Sequence, residues 1–379
     1  MKKTKRFALC ALVLGSAILL FVEAETSMAY IRRGMSLCVR TMIPSLFPFM
    51  VVSELIVRSG VGEAMARLPA RLLRLPEGGV CACLLGFLCG FPVGSRVAAE
   101  YYRMGRLTPR QFNVVLSCCN VPSSAFLVCA VGLSLFGSRI VGWGLVALTL
   151  AASFVSGTAM SLFLPREKRA VPYGGASDER TENIHLSQIL PQSISSAATG
   201  MLGVCATVLL FSAVIGAVNG LWEGDWPGDS ARAVLLGVFE MSGGVCAVSR
   251  LPAAHTALAL CAAMTGWGGL SVHCQIFTAC TGCPLDVRVF WLARGMQALV
   301  CGGSAWLWMQ WFPITLPNLS EPMAWRELLE GRLPLTSGDF RAVWTQVCCI
   351  ALGGAILLTV GYKIKNRRER RRDACQRRE

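Results

Sequence analysis

The sequence predicts an all-α polytopic membrane protein with about eight transmembrane helices and two re-entrant hairpins in an inverted-topology repeat. Three observations lead to this prediction. Hydrophobic residues make up 54% of the 379 residues and charged residues only 15%, whereas soluble domains carry about 25% charged residues. Several apolar runs are long enough to cross a bilayer, and shorter ones are interrupted by glycine at matching places in the two halves. Disorder is excluded because disordered chains are poor in apolar residues.

Each predicted span is an apolar run close to the length of about 20 residues that a helix needs to cross the hydrocarbon core. The first run is short, and Val22-Glu23-Ala24 resembles a signal-peptidase site, but we favour a helix that is retained. Cleavage would leave the rest of the topology unchanged, because the remaining chain would still begin outside. The eight runs are 7–22, 36–57, 112–136, 140–164, 196–218, 254–280, 288–312 and 342–363.

The net charge of +14 is explained better by membrane topology than by nucleic-acid binding. Basic residues are concentrated in the first six positions and in the tail from Lys363 to Arg378, next to apolar segments. With the N-terminus inside, most of the 36 Lys and Arg fall on the cytoplasmic side, as the positive-inside rule requires. We therefore expect both termini in the cytoplasm and no nucleic-acid partner. The 18 cysteines fall mostly in apolar runs, where thiols act as small packing residues.

Two apolar segments, 79–103 and 231–250, must not cross the membrane if this charge distribution is to hold. Each has a short apolar arm, a glycine-containing turn and a second arm, with the turns centred on 90–95 and 242–244. Neither arm alone is long enough to span the bilayer. Irregular backbone at membrane depth must be covered by protein or water. We therefore predict re-entrant hairpins, the first from the cytoplasm and the second from outside.

The order span, hairpin, interrupted span occurs twice, in 36–136 and in 196–280, with opposite orientations. The interruptions after the hairpins are 120–124 (NVPSS) and 265–269 (TGWGG). Paired interrupted segments in inverted repeats are typical of transporters with a site near the bilayer midplane. The structural alternative is that glycine and proline only aid close helix packing, but four interruptions in matching places favour transport or gating.

This repeat divides the chain into six parts. Between the two repeats lies a polar linker, and after the second repeat comes a loop with a predicted short amphipathic helix at Ala324–Leu329. The parts are an N-terminal membrane helix (1–30), the first repeat (31–164), a cytoplasmic linker (165–195), the second, inverted repeat (196–312), an external loop (313–341) and the last membrane helix with a basic cytoplasmic tail (342–379).

Charged side chains within apolar segments are costly and usually face a cavity or a partner. Arg96 and Glu100 lie four residues apart, so they could pair along one helix face, or Arg96 could neutralise an anionic substrate. Glu240, beside the second turn, is either a cation site or a helix-end partner. Arg40 and Glu54 are interpreted as snorkelling toward opposite ends of one span. The full set is Arg40, Glu54, Arg96, Glu100, Glu240 and Arg294.

Uncharged polar side chains at the two interruptions either line a site or bond neighbouring helices. His273, which follows the second interruption, is interpreted as a hydrogen-bonded histidine and not as a titrating group. The uncharged residues are Asn120, Ser123, Ser124, Thr265 and Ser271.

No catalytic or metal-binding constellation is found in the sequence. Cys280 and Cys283 have redox-type spacing, but neither a second such pair nor a nearby histidine completes a zinc site. The histidines form no HExxH pattern, and a GxxxxGK[ST] phosphate loop is lacking. We therefore predict that the protein is not an enzyme, needs no metal or cofactor, and hydrolyses no ATP itself.

Five stretches resemble the sporulation integral membrane proteins of the YlbJ type, which are related to the Gate, or nucleoside-recognition, domain superfamily. Together they span most of residues 30–310. The stretches are 42–49 (MIPSLFPF), 90–96 (GFPVGSR), 102–108 (YRMGRLT), 237–244 (GVFEMSGG) and 268–275 (GGLSVHCQ). The family's plan of repeats and hairpins is similar to that of concentrative nucleoside transporters. The first interruption departs from the family pattern, so that Asn120 is the position carried over most directly.

The resemblance implies transport of dipicolinic acid, a small aromatic dicarboxylate, across the outer forespore membrane, and assembly into a homo-oligomer. Protons, sodium or no ion at all are the alternatives for coupling. Besides a transporter or facilitator for a small organic anion, the alternative function is a non-transporting membrane scaffold for spore assembly. The predicted substrate-binding residues are Gly90, Pro92, Gly94, Ser95, Arg96, Asn120, Ser123, Ser124, Glu240, Ser242, Gly243, Gly244, Gly268, Gly269 and Ser271.

Overall fold

The computed structural model describes residues 2–73, 76–165, 186–221 and 229–311. All regular secondary structure in these ranges is helical, as predicted. The segments Cys38–Met42 and Phe126–Leu135 are π-helical. The α-helices are α1 (Lys2–Val22), α2 (Ala24–Leu37), α3 (Ile43–Arg58), α4 (Val61–Leu73), α5 (Glu77–Cys89), α6 (Val93–Arg103), α7 (Pro109–Leu116), α8 (Arg139–Phe163), α9 (Leu186–Leu221), α10 (Asp229–Phe239), α11 (Met241–Val248), α12 (Ala254–Trp267), α13 (Gly269–Ala279) and α14 (Val287–Trp311).

Three helical segments within the described ranges are long and apolar enough to cross a membrane, namely α8, α9 and the pair α12–α13. Helices α1 and α2 would make a fourth if they form one span, although they are bent by 93°. Large apolar side chains on these helices, such as Phe163, Leu202 and Leu210, are exposed, as expected of surfaces that face lipid. The count of eight spans stays a prediction, and its last run, 342–363, lies outside the described residues.

Two helix boundaries differ from the predicted runs. Residues 24–58 form one continuous helical segment, so the predicted span beginning at residue 36 starts earlier, directly after the bend at Glu23. Helix α9 begins at Leu186, within the predicted linker 165–195, of which residues 166–185 lie outside the described ones. The added turns contain polar residues between apolar ones, which lowers the hydropathy of a window without preventing helix formation. The predicted external loop, its short helix and the basic tail also lie outside the described residues.

Helix α4 was not predicted from hydropathy. Ala66 and Ala70 are buried on one of its faces, while Met65 and Leu68 are exposed on another. The spacing of four residues between the buried alanines places them on one face, against α5. An amphipathic helix of this kind has no continuous apolar run, so a search for spans passes over it.

The first predicted hairpin is formed by α5 and α6, joined by a turn at residues 90–92. The helices have 13 and 11 residues, too few to cross a bilayer. They cross where Gly86 faces Gly94, so closely that a Cβ on Gly86 would lie 3.1 Å from the Cα atom of Gly94. A Cβ at either position would also collide with the backbone carbonyl of Cys119 in the first break, so both the crossing and its packing against the break depend on glycine.

The second predicted hairpin is formed by α10 and α11, with 11 and 8 residues, which meet at Glu240. Gly237 and Gly244 face each other with their backbones in contact, and both lie against Met264 of α12. Gly86 and Gly237 occupy matching positions in the two Leu-Leu-Gly sequences that precede the turns. The repeat noticed in the sequence therefore corresponds to a glycine–glycine helix crossing in each half.

Each hairpin is followed by a broken helix, as predicted. Helix α7 ends at Leu116 and is followed by irregular backbone before the π-helical segment. Helices α12 and α13 are separated at Gly268, where Gly268 and Gly269 have φ values of +86° and +79°. Residues other than glycine rarely adopt this conformation, so the pair of glycines sets the position of the second break.

The first hairpin belongs to one buried apolar cluster and contacts a second. The first cluster is built around α3, α5, α6, α9 and α13, and the other around α8, α11, α12 and α14. Cys83, Leu88 and Phe91 of the first hairpin pack against both. The hairpin therefore joins the two clusters.

Candidate functional site

The irregular backbone of the first break is held by donors from three other elements. Arg294 Nη1 and Gln297 Nε2 of α14 donate to two carbonyls of residues 117–121, at 2.6 and 2.8 Å. Ser153 of α8 donates to a third, and the backbone N–H of Phe91 donates to a fourth at 2.9 Å. Because an unpaired carbonyl in an apolar region costs free energy, these four bonds allow the helix to be interrupted there.

The second break is held from within its own half. His273 Nε2 donates to the carbonyl of Trp267 at 2.9 Å, and Trp267 Nε1 donates to the carbonyl of Val238 at 3.2 Å. Glu240 caps α11, because its carboxylate accepts the N–H groups of Ser242 and Gly243 in the first turn of that helix, at 2.9 and 2.6 Å. Of the two interpretations of Glu240, this geometry matches the helix-end partner. His273 is hydrogen-bonded, as expected.

The hairpin tips and the breaks form one continuous region. A Cβ on Gly90 at the first tip would lie 2.6 Å from the backbone nitrogen of Ser123 in the first break, and one on Gly269 would lie 2.9 Å from the first nitrogen of α11. Across the halves, a Cβ on Gly268 would lie 4.0 Å from Cε1 of Phe91. Each tip therefore packs against the break that follows it, and the first tip also approaches the second break.

A cavity of about 340 Å³ lies beside this region, between α3, α6, α9 and α13. Its volume is within the range of about 300–1,000 Å³ that small-molecule sites usually have. Charged, hydroxyl and amide side chains form much of its wall, together with backbone at Gly200 and Gly203. The polar lining residues are Glu54, Arg96, Glu100, Arg103, Ser196, Thr199, Gln275 and Thr278.

Arg96 forms three hydrogen bonds at the cavity wall. Its Nη2 donates to Glu54 Oε1 at 2.8 Å and to the carbonyl and hydroxyl oxygens of Ser196 at 3.0 and 3.1 Å. Ser196 Oγ also donates to Glu54 Oε1 at 3.0 Å, and Arg58 Nε donates to Glu54 Oε2 at 3.2 Å. Only 18% of the Arg96 side chain and 11% of the Glu54 side chain are exposed. The ion pair thus links α3, α6 and α9.

The expected pair between Arg96 and Glu100 does not form. Glu100 lies 3.6 Å from Arg103 instead. Glu54, which we expected to snorkel, is the carboxylate partner of Arg96. Spacing along one helix gave the wrong partner, because packing of α3 against α6 places a carboxylate from 42 residues earlier in the chain closer to Arg96.

Arg96 can reach α9 because residue 200 is a glycine. Its Nη1 and Cζ atoms occupy the space that a Cβ on Gly200 would take. Gly203, which also lines the cavity, is less crowded, since a Cβ there would meet only Thr278 Cγ2 at 3.8 Å. The two glycines therefore lie on the same wall, but only Gly200 is in close contact with Arg96.

Among the predicted site residues, Pro92 and Arg96 line the cavity. Ser95 is fully buried and donates to the carbonyl of Pro92 at 2.7 Å, which fixes the first turn of α6. Ser123 accepts the N–H of Phe126 at 3.2 Å. The remaining predicted residues lie in the hairpin tips and breaks, apart from the cavity wall: Gly90, Gly94, Asn120, Ser124, Glu240, Ser242, Gly243, Gly244, Gly268, Gly269 and Ser271.

Five polar residues of the cavity wall were not predicted: Arg103, Ser196, Thr199, Gln275 and Thr278. The four uncharged ones are polar residues within apolar helices. Ser196 and Thr199 lie three residues apart, on one face of α9. Such spacing within a long apolar helix is a weak signal, but it could have identified this wall.

Arg294 belongs to the first break and not to the cavity. It is 2% exposed, and in the part of the chain that the structure describes its Nη2 has no hydrogen-bond partner. Its Nη1 bond to Asn120 fixes the break. Within the same described ranges, no group of three or more His, Cys, Asp or Glu side chains is positioned to hold a metal ion.

Comparison with known proteins identifies a relative along most of the chain. No protein-family model matches, so the Gate-domain relationship stays an expectation, and no solved structure matches significantly. The sporulation integral membrane protein YlbJ of Bacillus subtilis (strain 168) is 21% identical over 316 residues, which are 75% of this chain and 77% of YlbJ. Together with the apolar helices, this similarity confirms the resemblance carried by the five sequence stretches. The chain is therefore similar, over most of its length, to a sporulation integral membrane protein of the YlbJ type.

Proposed function

We propose that the protein is a transporter or facilitator for a small organic anion, with the cavity beside the two hairpin tips as its binding site. The observation that carries this proposal is Arg96, a partly buried cation on the wall of a cavity of about 340 Å³. The anion class follows from that charge. The choice of dipicolinate as substrate rests on the similarity to YlbJ-type proteins.

The cavity offers the contacts that a dicarboxylate requires. All three hydrogen bonds that the described residues accept from Arg96 involve Nη2, so the other guanidinium N–H groups remain for a ligand. Charge-assisted bonds from arginine to carboxylate are among the strongest in proteins. The hydroxyl groups of Thr199 and Thr278 and the amide of Gln275 supply uncharged donors around it.

The arrangement of hairpins and breaks is suited to alternating access. Because each hairpin is closed by a glycine crossing and packs against its own break, we expect each half to move as a unit. Movement of one unit against the other would open the cavity to one side of the membrane at a time, as in other inverted-repeat transporters. We further propose the outer forespore membrane as the location, with both termini in the cytoplasm.

Uptake into vesicles tests this function. Purified protein in lipid vesicles should accumulate labelled dipicolinate above empty vesicles, and Arg96→Ala should reduce uptake by at least about tenfold, since a charged hydrogen bond contributes about 1.5–3 kcal/mol. Arg288→Ala is the control, because Arg288 is exposed at the start of α14, away from the cavity wall.

Three outcomes decide the proposal. If neither gradient direction gives uptake above empty vesicles, the protein does not transport dipicolinate. If Arg96→Ala inserts normally and takes up dipicolinate like the wild type, Arg96 does not belong to the binding site. If deletion of residues 365–379 abolishes sporulation while vesicle uptake is unchanged, the scaffold alternative gains support, because a transporter should largely keep its function without this tail.

A further inference from the structure

We propose that Glu54 is an internal competitor for Arg96, which the carboxylate of the transported anion must displace, and that it thereby lowers the affinity of the site for every carboxylate. This inference rests on the proposed function. It assigns an affinity-setting function to a residue whose sequence position indicated only a snorkelling side chain.

Glu54 and Arg96 form an ion pair in the cavity wall. Glu54 Oε1 lies 2.8 Å from Arg96 Nη2, and both residues line the same cavity. A substrate carboxylate presents the same pair of oxygens to the guanidinium as Glu54 does. An anion that binds Arg96 through both of its Nη atoms must therefore take Nη2 from Glu54.

Glu54 can be displaced from Arg96 without being left unpaired. Its other oxygen already accepts Arg58 Nε at 3.2 Å, and Ser196 Oγ donates to Oε1 at 3.0 Å. A carboxylate that loses every partner in a partly buried position would be strongly destabilised. With Arg58 and Ser196 still present, Glu54 can yield Arg96 to the substrate at a modest cost in free energy.

Competition with Glu54 lowers the affinity of every carboxylate that binds Arg96. An entering anion loses the contribution of the Arg96–Glu54 bond before it gains its own, and it also meets the negative charge of Glu54. The cost of breaking the pair is the same for a monocarboxylate and a dicarboxylate. A dicarboxylate has a second carboxylate to contact the other polar wall groups, so it can offset this cost more fully.

Replacement of Glu54 by glutamine removes the competing charge and keeps the shape of the side chain. The probes are pyridine-2,6-dicarboxylate (dipicolinate) and pyridine-2-carboxylate, and binding of each is measured by calorimetry on full-length protein in detergent. Glu54→Gln should tighten binding of both probes by roughly three- to tenfold, the range expected for a partly exposed ion pair.

Glu100→Gln is the matched control. Glu100 lines the same cavity and carries the same charge, but it pairs with Arg103 and not with Arg96. If the effect were a general decrease in negative charge, both variants would change binding alike. Our inference requires that Glu100→Gln tighten binding of each probe less than Glu54→Gln does, because only Glu54→Gln frees Arg96.

A measurement without substrate tests the ion pair directly. Phenylglyoxal modifies accessible guanidinium groups, and mass spectrometry of the peptide that contains Arg96 reports the rate at that residue. Modification of Arg96 should be faster in Glu54→Gln than in the wild type and unchanged in Glu100→Gln.

The outcomes separate this inference from the proposed function. If the wild type binds dipicolinate but Glu54→Gln binds it no more tightly, Glu54 is not a competitor and the transport proposal stands. If the wild type binds neither probe while Arg96 modification rises in Glu54→Gln, the ion pair exists but the anion function fails. If Arg96 is modified at the same rate in both variants and in the wild type, Glu54 does not shield Arg96 and the inference is overturned.

Discussion

Two buried arginines in the same protein have different partners. Arg96 is paired with the carboxylate of Glu54 at the wall of a cavity, whereas Arg294 donates to the backbone carbonyl of Asn120 at 2.6 Å within the packed interior. A charged group in an apolar region must be compensated by a partner. Arg96 has a side-chain carboxylate as its partner and lines a cavity, so it is suited to exchange ligands. Arg294 donates to a carbonyl of the interrupted helix and is suited to stabilise the break.

The position of Arg96 gives a prediction for Gly200. A methyl group in Gly200→Ala would occupy the space of the Arg96 guanidinium, so Arg96 would have to move away from α9 and lose Ser196. Because small displacements of a binding group have large effects, we expect uptake of dipicolinate to fall by about ten- to a hundredfold in the vesicle assay.

The control for this substitution is Gly203→Ala on the same wall. Its Cβ would meet only Thr278 Cγ2 at an ordinary distance of 3.8 Å, and uptake should stay within about twofold of the wild type. Equal losses in both variants would show that the cavity wall tolerates no methyl group, whatever Arg96 does.

At the level of helices, the hairpins depend on paired glycines. Gly86 with Gly94 and Gly237 with Gly244 bring the arms of each hairpin into backbone contact. Their helices are too short to be stable alone, so close packing has to supply much of their stability. Gly86 and Gly237 lie at matching positions in the two Leu-Leu-Gly sequences, so the repeated sequence corresponds to a similar helix crossing in each hairpin.

The second pair gives a stability prediction. In Gly244→Ala the new Cβ would collide with the backbone of Gly237, and overpacking of this kind costs about 1–3 kcal/mol. The midpoint of thermal unfolding in detergent should fall. Gly243→Ala changes the neighbouring residue, which is exposed and whose Cβ would approach only the Glu240 carboxylate at 3.2 Å. If the unfolding midpoint of Gly243→Ala were as low as that of Gly244→Ala, the collision at the glycine crossing would not be the cause of the lower stability.

At the scale of the whole molecule, the first hairpin connects two apolar clusters through Cys83, Leu88 and Phe91. The broken helices and both tips meet at this junction, and the cavity lies at one side of it. A structure divided in this way has a natural boundary for relative motion, which is where a substrate pathway is expected.

The predicted topology can be tested with epitope tags inserted into exposed turns. Tags after Gly105 and Gly282 should be reached by antibody only after the membrane is permeabilised, because we expect these turns in the cytoplasm. Tags after Gly137 and Arg250 should be reached in intact spheroplasts. A tag after Gly105 that is accessible from outside would mean that the first hairpin crosses the membrane, and the inverted repeat would then be wrong.

Local patterns in the sequence predicted much of this structure. The excess of apolar residues, the glycine-containing turns and the breaks at 120–124 and 265–269 depend on hydropathy and backbone conformation, which are properties of neighbouring residues. The boundaries of α9 and the amphipathic helix α4 were missed because polar residues interrupt their apolar patterns. The breaks were found, but most of their residues serve packing and hydrogen bonding.

The sequence alone determined that the chain is helical and membrane-embedded, where its hairpins turn, and that Arg96 is a notable charge. Only the tertiary structure decided that Arg96 pairs with Glu54 and Ser196, 42 and 100 residues away, and that their helices enclose a cavity with α13. The physical reason is that helix formation and burial depend on residues close in the chain. The partner of a buried charge depends instead on how separate helices rotate and pack against each other.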